Sequence, residues 1–217
     1  MKSTTSNPAG KATRDAKRTR SKILAAAREE FSRHGLSGAR VGAIAKNAGV
    51  NKQLLYYYFG DKEKLYASVL EQAYEELRAA EQALNLDNLP PKKAIEKFIK
   101  FSFDFLVEHK YFVALLNDEN LHEARHIKKS TRLPLLHDRL RTTIGGALER
   151  GLTSGVFKRS VDPADLYISI ASLCFFYHSN AHTMSAIFQR DLASDAEISK
   201  RRTHIVDMVM GFLALES

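Results

Sequence analysis

Apolar residues recur along most of the chain at intervals of three and four, and no stretch alternates with the period of two that marks a half-buried strand. The pattern predicts an all-α protein. Over residues 18–34, Ile23, Leu24, Ala27 and Phe31 fall on one helical stripe, which Gly35 ends. A second, short helix is expected from about Arg40, with Val41, Ile44 and Ala45 on one face and Ala48 a turn later. Gly49 then interrupts the pattern, as a position needing positive φ would. Val50 is placed to plug the corner, and Asn51 is a good N-cap for a third helix over 52–59. That helix turns Leu55, Tyr58 and Phe59 inward and leaves Lys52, Gln53, Leu54, Tyr56 and Tyr57 outward. A longer helix follows over 61–85, with Leu65, Val69, Ala73 and Leu77 inward.

The rest of the chain reads as more helices. Asn85 to Leu89 forms a loop, and Pro90-Pro91 opens the next helix, where a first-turn proline is tolerated. Over 94–109, Ile95, Phe98, Ile99, Phe101, Phe103, Phe105 and Leu106 cover more than one stripe, so this helix should be central. Further helices are expected over 111–121 and 123–153, the latter kinked or broken by Pro134. Gly145-Gly146 marks either close packing or a second weak point. Asp162-Pro163 supplies an N-cap and first-turn proline for a helix over 162–182. A last helix over 195–215 carries Ile198, Ile205, Val209 and Phe212 on one stripe.

Charge divides the chain. The net charge of its 217 residues is +8, yet residues 1–64 hold 14 Lys/Arg against 5 Asp/Glu, and the remainder holds 19 against 20. The excess sits around the two short helices, the footprint of a nucleic-acid-binding module. A membrane-surface role would need a large apolar face beside those charges, and none is visible. No apolar run approaches the roughly 18 residues of a membrane span. The polar, basic N-terminus lacks the apolar region of a secretory signal. The single Cys174 excludes an intrachain disulfide and fits a reducing compartment. A cytoplasmic protein is the expectation.

The outward face of the 52–59 helix has groups that fit a DNA major groove. Gln53 can pair in bidentate fashion with adenine, and Leu54 can pack on a thymine methyl. Lys52, Tyr56 and Tyr57 are better placed to position the DNA backbone. Arg18, Arg20 and Lys22 cluster at a helix start, against the helix dipole, where nearby phosphate would compensate. Arg40 and Lys62 are further phosphate candidates. Residues 1–17 form a flexible basic tail that serves either phosphate contact or solubility.

Ile44-Ala45, Ala48-Gly49-Val50, Leu55 to Phe59 and Lys62 to Leu65 resemble the helix-turn-helix signature of the TetR family of transcriptional regulators. The resemblance extends upstream through Ile23-Leu24, Ala26-Ala27, Phe31 and Gly35. It implies a three-helix DNA-binding domain over 18–64 and a helical ligand-binding and dimerisation domain over 65–217. It also implies a homodimer on a palindromic operator of double-stranded DNA, with the last two long helices of each protomer packed against their copies, and release by a small-molecule inducer. Relatives often carry Ser or Thr where Arg40 stands, so here the cap is lost or moved.

Several smaller patterns carry chemistry. His122-Glu123-Ala124-Arg125-His126 is a literal HExxH, which on a helix sets two imidazoles on one face for zinc. Glu149 is a distant candidate for a third ligand. Without the rest of a metalloenzyme's context, His122 and His126 are better read as the polar wall of a ligand pocket or a solvated helix edge. His178 and His182, one turn apart, make an incomplete metal site. Cys174, between Leu173 and Phe175, reads as a buried inert thiol. No metal, cofactor or catalytic group is expected. Asn117 to His122 resembles a segment of the TetR subgroup that includes the repressor of nicotinate degradation, which implies an inducer such as nicotinate or 6-hydroxynicotinate. The pocket candidates are Phe101, Phe105, Phe175 and Phe176 for flat apolar surface, with Asn117, His122, His126, Arg139 and Asn180 for a carboxylate or ring nitrogen. The alternatives are an activator or dual regulator using the same DNA-binding head, and a zinc hydrolase using His122 and His126.

Overall fold

The computed structural model describes the backbone of residues 8–216 and the side chains from residue 13 onward, apart from those of 135–137 and 139. Among the described residues there are ten α-helices and no strand, in agreement with the all-α expectation. They are α1 (Pro8–Gly38), α2 (Val41–Ala48), α3 (Lys52–Phe59), α4 (Lys62–Gln82), α5 (Pro91–Glu108), α6 (Lys110–Leu121), α7 (Leu133–Thr153), α8 (Pro163–Ser179), α9 (Ala181–Phe188) and α10 (Asp195–Ala214). No helix is long and apolar enough to cross a membrane among these residues. The chain divides into two compact units. One comprises Met1–Gln72 with Ala114–Lys129, the other Ala73–Val113 with Ser130–Ser217.

The first unit is built on the stripes that periodicity picked out. Ile23, Ala27 and Phe31 of α1 are buried with Ile44, Ala45 and Ala48 of α2, Leu55 and Phe59 of α3, and Leu65 and Val69 of α4. Phe31 meets the fully buried Tyr66 edge-on, with ring centroids 5.1 Å apart. Leu24 and Tyr58 stay half-buried at the margin. Helix α1 begins at Pro8 rather than Arg18. Of the expected tail over 1–17, residues 1–7 lie outside the described residues and 8–17 continue the helix. Gly35 interrupts α1 with φ 63° and ψ 177°, a conformation costly for any residue with a Cβ. The turn it makes brings the Leu36 N–H onto Asp118 Oδ2 of α6 at 2.9 Å. A Cβ on Gly35 would lie 2.5 Å from Asp118 Oδ1, so that contact also needs a glycine.

The second unit gathers around α5, which packs against α7, α8 and α10. Ala94, Ile95, Phe98, Ile99, Phe103, Phe105 and Leu106 of α5 are all buried, which accords with its apolar residues extending beyond one stripe. Two boundaries differ from expectation. The helix expected over 123–153 does not form across its first third: Glu123 and Ala124 adopt φ 57° and 56°, a single 3-10 turn spans Ile127–Lys129, and α7 starts at Leu133. Pro134 therefore lies in the first turn of α7, where its missing N–H breaks nothing, and produces no kink. The helix expected over 162–182 ends at Ser179, and Asn180 separates it from the short α9. Its start matches: the Asp162 carboxylate accepts the Ala164 and Asp165 N–H groups at 2.8 and 3.3 Å. Gly145 is a close-packing site, since a Cβ there would stand 3.2 Å from Pro163 Cγ, and α7 runs through it unbroken.

Candidate nucleic-acid interface

The turn between α2 and α3 closes as its sequence requires. Gly49 takes φ 68° and its N–H reaches Lys46 O at 3.1 Å, while the Val50 N–H reaches Ala45 O at 3.0 Å. Asn51 Oδ1 then accepts the Leu54 N–H at 2.8 Å, capping α3. With Leu55 and Phe59 held in the core, the opposite face of α3 is fixed outward. Lys52, Gln53 and Tyr56 are exposed, Leu54 is half-buried and Tyr57 is 81% exposed. A well-anchored helix that keeps a large aromatic in water presents a contact surface.

The start of α2 is open. Arg40 makes no side-chain cap; its own N–H reaches the buried Glu30 carboxylate of α1 at 2.9 Å, which leaves the first-turn N–H groups of α2 without a side-chain acceptor. The Arg40 side chain is exposed. Lys52 lies over the same helix start, with its Nζ 3.5 Å from where a Cβ on Gly42 would stand. An uncapped helix N-terminus beside a lysine and an arginine favours an anion. Two of the other basic candidates have structural partners. The Arg20 guanidinium stacks on the Phe59 ring at 4.5 Å from its centroid. Lys62 donates to Ser37 O at 3.3 Å and Ala39 O at 3.0 Å and caps the end of α1. Arg18 is exposed, 3.8 Å from Asp15.

The predicted ligand residues fall in both units. Asn117, His122 and His126 belong to the first, and Phe101, Phe105, Phe175, Phe176 and Asn180 to the second. The Arg139 side chain lies outside the described residues. Phe105 is buried, stacked 4.0 Å from His109 and edge-on to Phe112; Phe101 is half-buried, 5.7 Å from Phe105. Phe175 is half-buried. Phe176 is 55% exposed and lines an open groove of about 410 Å³ with Tyr177, Met184 and Phe188. Asn180 donates to Phe176 O and Ser179 Oγ at the α8 end.

His122 and His126 do not share a helix face, because the left-handed Glu123 and Ala124 intervene. The zinc arrangement that needs them one helical turn apart is therefore not built. His126 is buried, with Nδ1 2.7 Å from Glu119 Oε2 and Nε2 2.6 Å from Glu63 Oε2. The bond from His126 holds the Glu63 carboxyl below its ordinary value. Glu119 Oε1 also accepts the N–H groups of His126 and Ile127 at 2.7 and 3.0 Å. His122 Nδ1–H donates to Asp118 O at 2.7 Å. The sequence reading missed Glu30, Glu63 and Glu119, whose partners lie many positions away and carry no local spacing. In the second unit, burial lowers His178 to about 4 and pushes the Cys174 thiol up to about 12, so Cys174 is chemically quiet.

An all-helical chain with a glycine-closed helix-turn-helix, a capped and outward-facing second helix, and a separate helical unit defines a DNA-binding transcriptional regulator of the helix-turn-helix class. The chain belongs to the tetR family of bacterial regulatory proteins: that family's model matches residues 23–69, and the model of the tetracyclin repressor-like C-terminal domain matches residues 91–209. It is 39% identical over 195 residues to the HTH-type transcriptional repressor NicS of Pseudomonas putida, covering 90% of this chain and 92% of that protein. It is 38% identical over 95 residues to the HTH-type transcriptional regulator RutR of Escherichia coli, covering 44% of each. The crystal structure of the putative transcriptional regulator SCO4942 from Streptomyces coelicolor aligns with a TM-score of 0.64 at 28% identity, over 89% of this chain and 97% of that one. These relatives are regulators, and the chain is not an enzyme.

Proposed function

We propose that the protein is a cytoplasmic, ligand-responsive repressor that binds a palindromic operator as a homodimer and is released by a small aromatic acid of the nicotinate class. The observation that carries the DNA-binding part is the outward face of α3 beside the uncapped, cationic start of α2. Gln53 reads base edges and Leu54 packs on a thymine methyl, while Lys52, Tyr56, Tyr57, Arg40 and Arg18 hold phosphate. Arg20 steadies the end of α3 through Phe59 and meets phosphate only at its free edge.

The dimer reading is supported by apolar side chains left in water: Ile168 and Phe176 on α8, and Met208 and Phe212 on α10, are 59%, 55%, 46% and 38% exposed. A symmetric pair would set two α3 helices about 34–36 Å apart, one DNA turn, or a multiple of it. Inducer and operator would then favour different states of one dimer, each weakening the other by the same factor. The ligand class is supported by the identity to NicS along nearly the whole chain. The segment from Asn117 to His122, which first pointed to that class, contributes scaffold: Asp118 and Glu119 are occupied by Leu36 and His126.

The test is fluorescence anisotropy on labelled DNA from upstream of the protein's own gene, with unrelated DNA as competitor, repeated with nicotinate and with 6-hydroxynicotinate. Competitor-resistant binding that either compound releases is the expected result. Specific binding that neither compound changes would leave the repressor and remove the ligand class. Binding that is salt-sensitive and indifferent to sequence would remove that DNA as the operator.

A further inference from the structure

Arg78 is the largest fully buried side chain among the described residues, with 2% of its surface exposed, and it lies within the second unit. Its Nη1 meets the Glu81 carboxylate one helical turn along α4, and its Nη2 donates to the Tyr167 hydroxyl of α8 at 2.9 Å. Glu81 is itself 6% exposed. A buried ion pair is a poor stabiliser, because desolvating two charges offsets most of their attraction. This one also lies on free space. Arg78 and Glu81 line a cavity of about 80 Å³, enough for a few waters or a displaced side chain, whose wall continues through Gln82, Asn85, Asp87 and Asn88 to Leu140. Leu140 and Tyr167 also line a second, mostly apolar space of about 190 Å³ with Ile144, Pro163 and Ile168, which Asp138 and Arg141 border as well.

We propose that Arg78, with the Tyr167 hydroxyl, is the anchor for the carboxylate of a small ring acid, and that Glu81 occupies this anchor in the ligand-free chain as an internal stand-in. The proposal rests on the aromatic-acid reading above and names the residues that would carry it. Arginine is the side chain suited to a buried carboxylate, through paired N–H donors. Arg78 and Glu81 are three residues apart on one helix, so exchange of one carboxylate for another requires only that the Glu81 side chain turn away into the polar cavity. The amides of Gln82, Asn85 and Asn88 can meet the displaced Glu81 carboxyl, and the larger space beside Leu140 and Tyr167 gives the ring an apolar site. A displaced Glu81 has no cation of its own. Burial already holds its carboxyl above the ordinary value against the pull of Arg78, so on displacement it takes up a proton.

The experiment is isothermal titration of the full-length protein with nicotinate, 6-hydroxynicotinate and benzoate, in two buffers of different ionisation heat. The wild type should bind at least one of these acids and take up about one proton for each acid bound. Arg78→Met should weaken binding on the order of 10- to 100-fold, the loss of charge-assisted hydrogen bonds. Glu81→Gln should bind more tightly than wild type and take up no proton. Circular dichroism melts check that both variants fold, and the proton count in Glu81→Gln stands as a readout if Arg78→Met does not. Equal proton uptake in wild type and Glu81→Gln, or unaltered binding by a folded Arg78→Met, would overturn the anchor. If 6-hydroxynicotinate released operator DNA while Arg78→Met bound it normally, the aromatic-acid reading would survive and the anchor would fall. If none of the three acids bound wild type or Glu81→Gln, both would fall.

Discussion

The two units each bury a polar cluster built on a glutamate, and the clusters are built differently. In the first, His126 is held between Glu119 and Glu63, and the remaining Glu119 oxygen accepts two backbone N–H groups. The polar atoms there answer one another, and the partners come from α4, α6 and the turn after α6. In the second, Arg78 and Glu81 line a polar cavity, and Tyr167, which accepts from Arg78, lines the neighbouring space. A cluster whose donors and acceptors are matched by backbone fixes a chain path. One that faces unfilled space can change partners.

The sharpest way to break this comparison is to remove the acid at the centre of the first cluster. Glu119→Ala leaves His126 Nδ1 and the His126 and Ile127 N–H groups without their acceptor. Leaving a buried group unsatisfied costs about 1–3 kcal/mol, and chemical denaturation should show a destabilisation of at least that size. A loss below about 1 kcal/mol, the range of exposed pairs, would mean that the cluster does not fix the turn.

How much of this was legible in the sequence follows from the same difference. The core of the first unit was readable because Ile23, Ala27, Phe31, Ile44 and Leu55 repeat at helical spacing, and Gly49 and Asn51 mark the turn by local chemistry. Helix ends were less readable. The turn at Glu123 and Ala124 depends on Glu119 capturing His126, a tertiary contact that overrides the helical propensity of Glu and Ala. The same contact misled the reading of His122-Glu123-x-x-His126 as a helical pair. The place of Lys62 was hidden likewise, since its partners Ser37 and Ala39 are more than twenty residues away. In the second unit, aromatic residues were visible as a class, but which of them face space depends on packing between helices and has no period. Nothing in the local spacing of Arg78 and Glu81, three positions apart on a helix, marks them as buried.

A head whose framework is fixed by its own cluster should allow its outer face to be altered without loss of fold. Gln53→Ala should relax base preference at one operator position by about 1–3 kcal/mol. Lys52→Ala should weaken binding to all sequences alike and lower the salt slope by about one. Anisotropy against a panel of single-base operator variants at several salt concentrations separates the two. Equal loss of specificity in both variants would contradict the division of roles.

Acid probes the outer edge of the first cluster. The Glu63 carboxyl is depressed by its hydrogen bond from His126, so its contribution to stability is present above the ordinary value of 4.5 and is lost as pH falls through the lowered folded value. Glu63→Gln should therefore flatten the acid side of the profile of melting temperature against pH below the ordinary value of 4.5 and leave neutral pH nearly unchanged. Because the Glu63 side chain is 54% exposed, the effect should stay within about 1 kcal/mol. An acid limb as steep as that of wild type would assign the acid sensitivity to other groups.

The smallest expected change in stability comes from the most buried charges, and it decides between the two kinds of cluster. Replacing both Arg78 and Glu81 with Met removes the pair and leaves neither charge behind. Such replacements of buried ion pairs are commonly neutral or stabilising by about 1–4 kcal/mol. The double variant should thus melt at or above the wild-type temperature, although either charge left alone would be costly. It should also lose binding of the small acids. Stability kept while ligand binding is lost would show that the second cluster is held for recognition. A loss of several kcal/mol in the double variant would instead put it in the same class as the cluster around His126, with Tyr167 and the two charges fixing the path of α4 against α8.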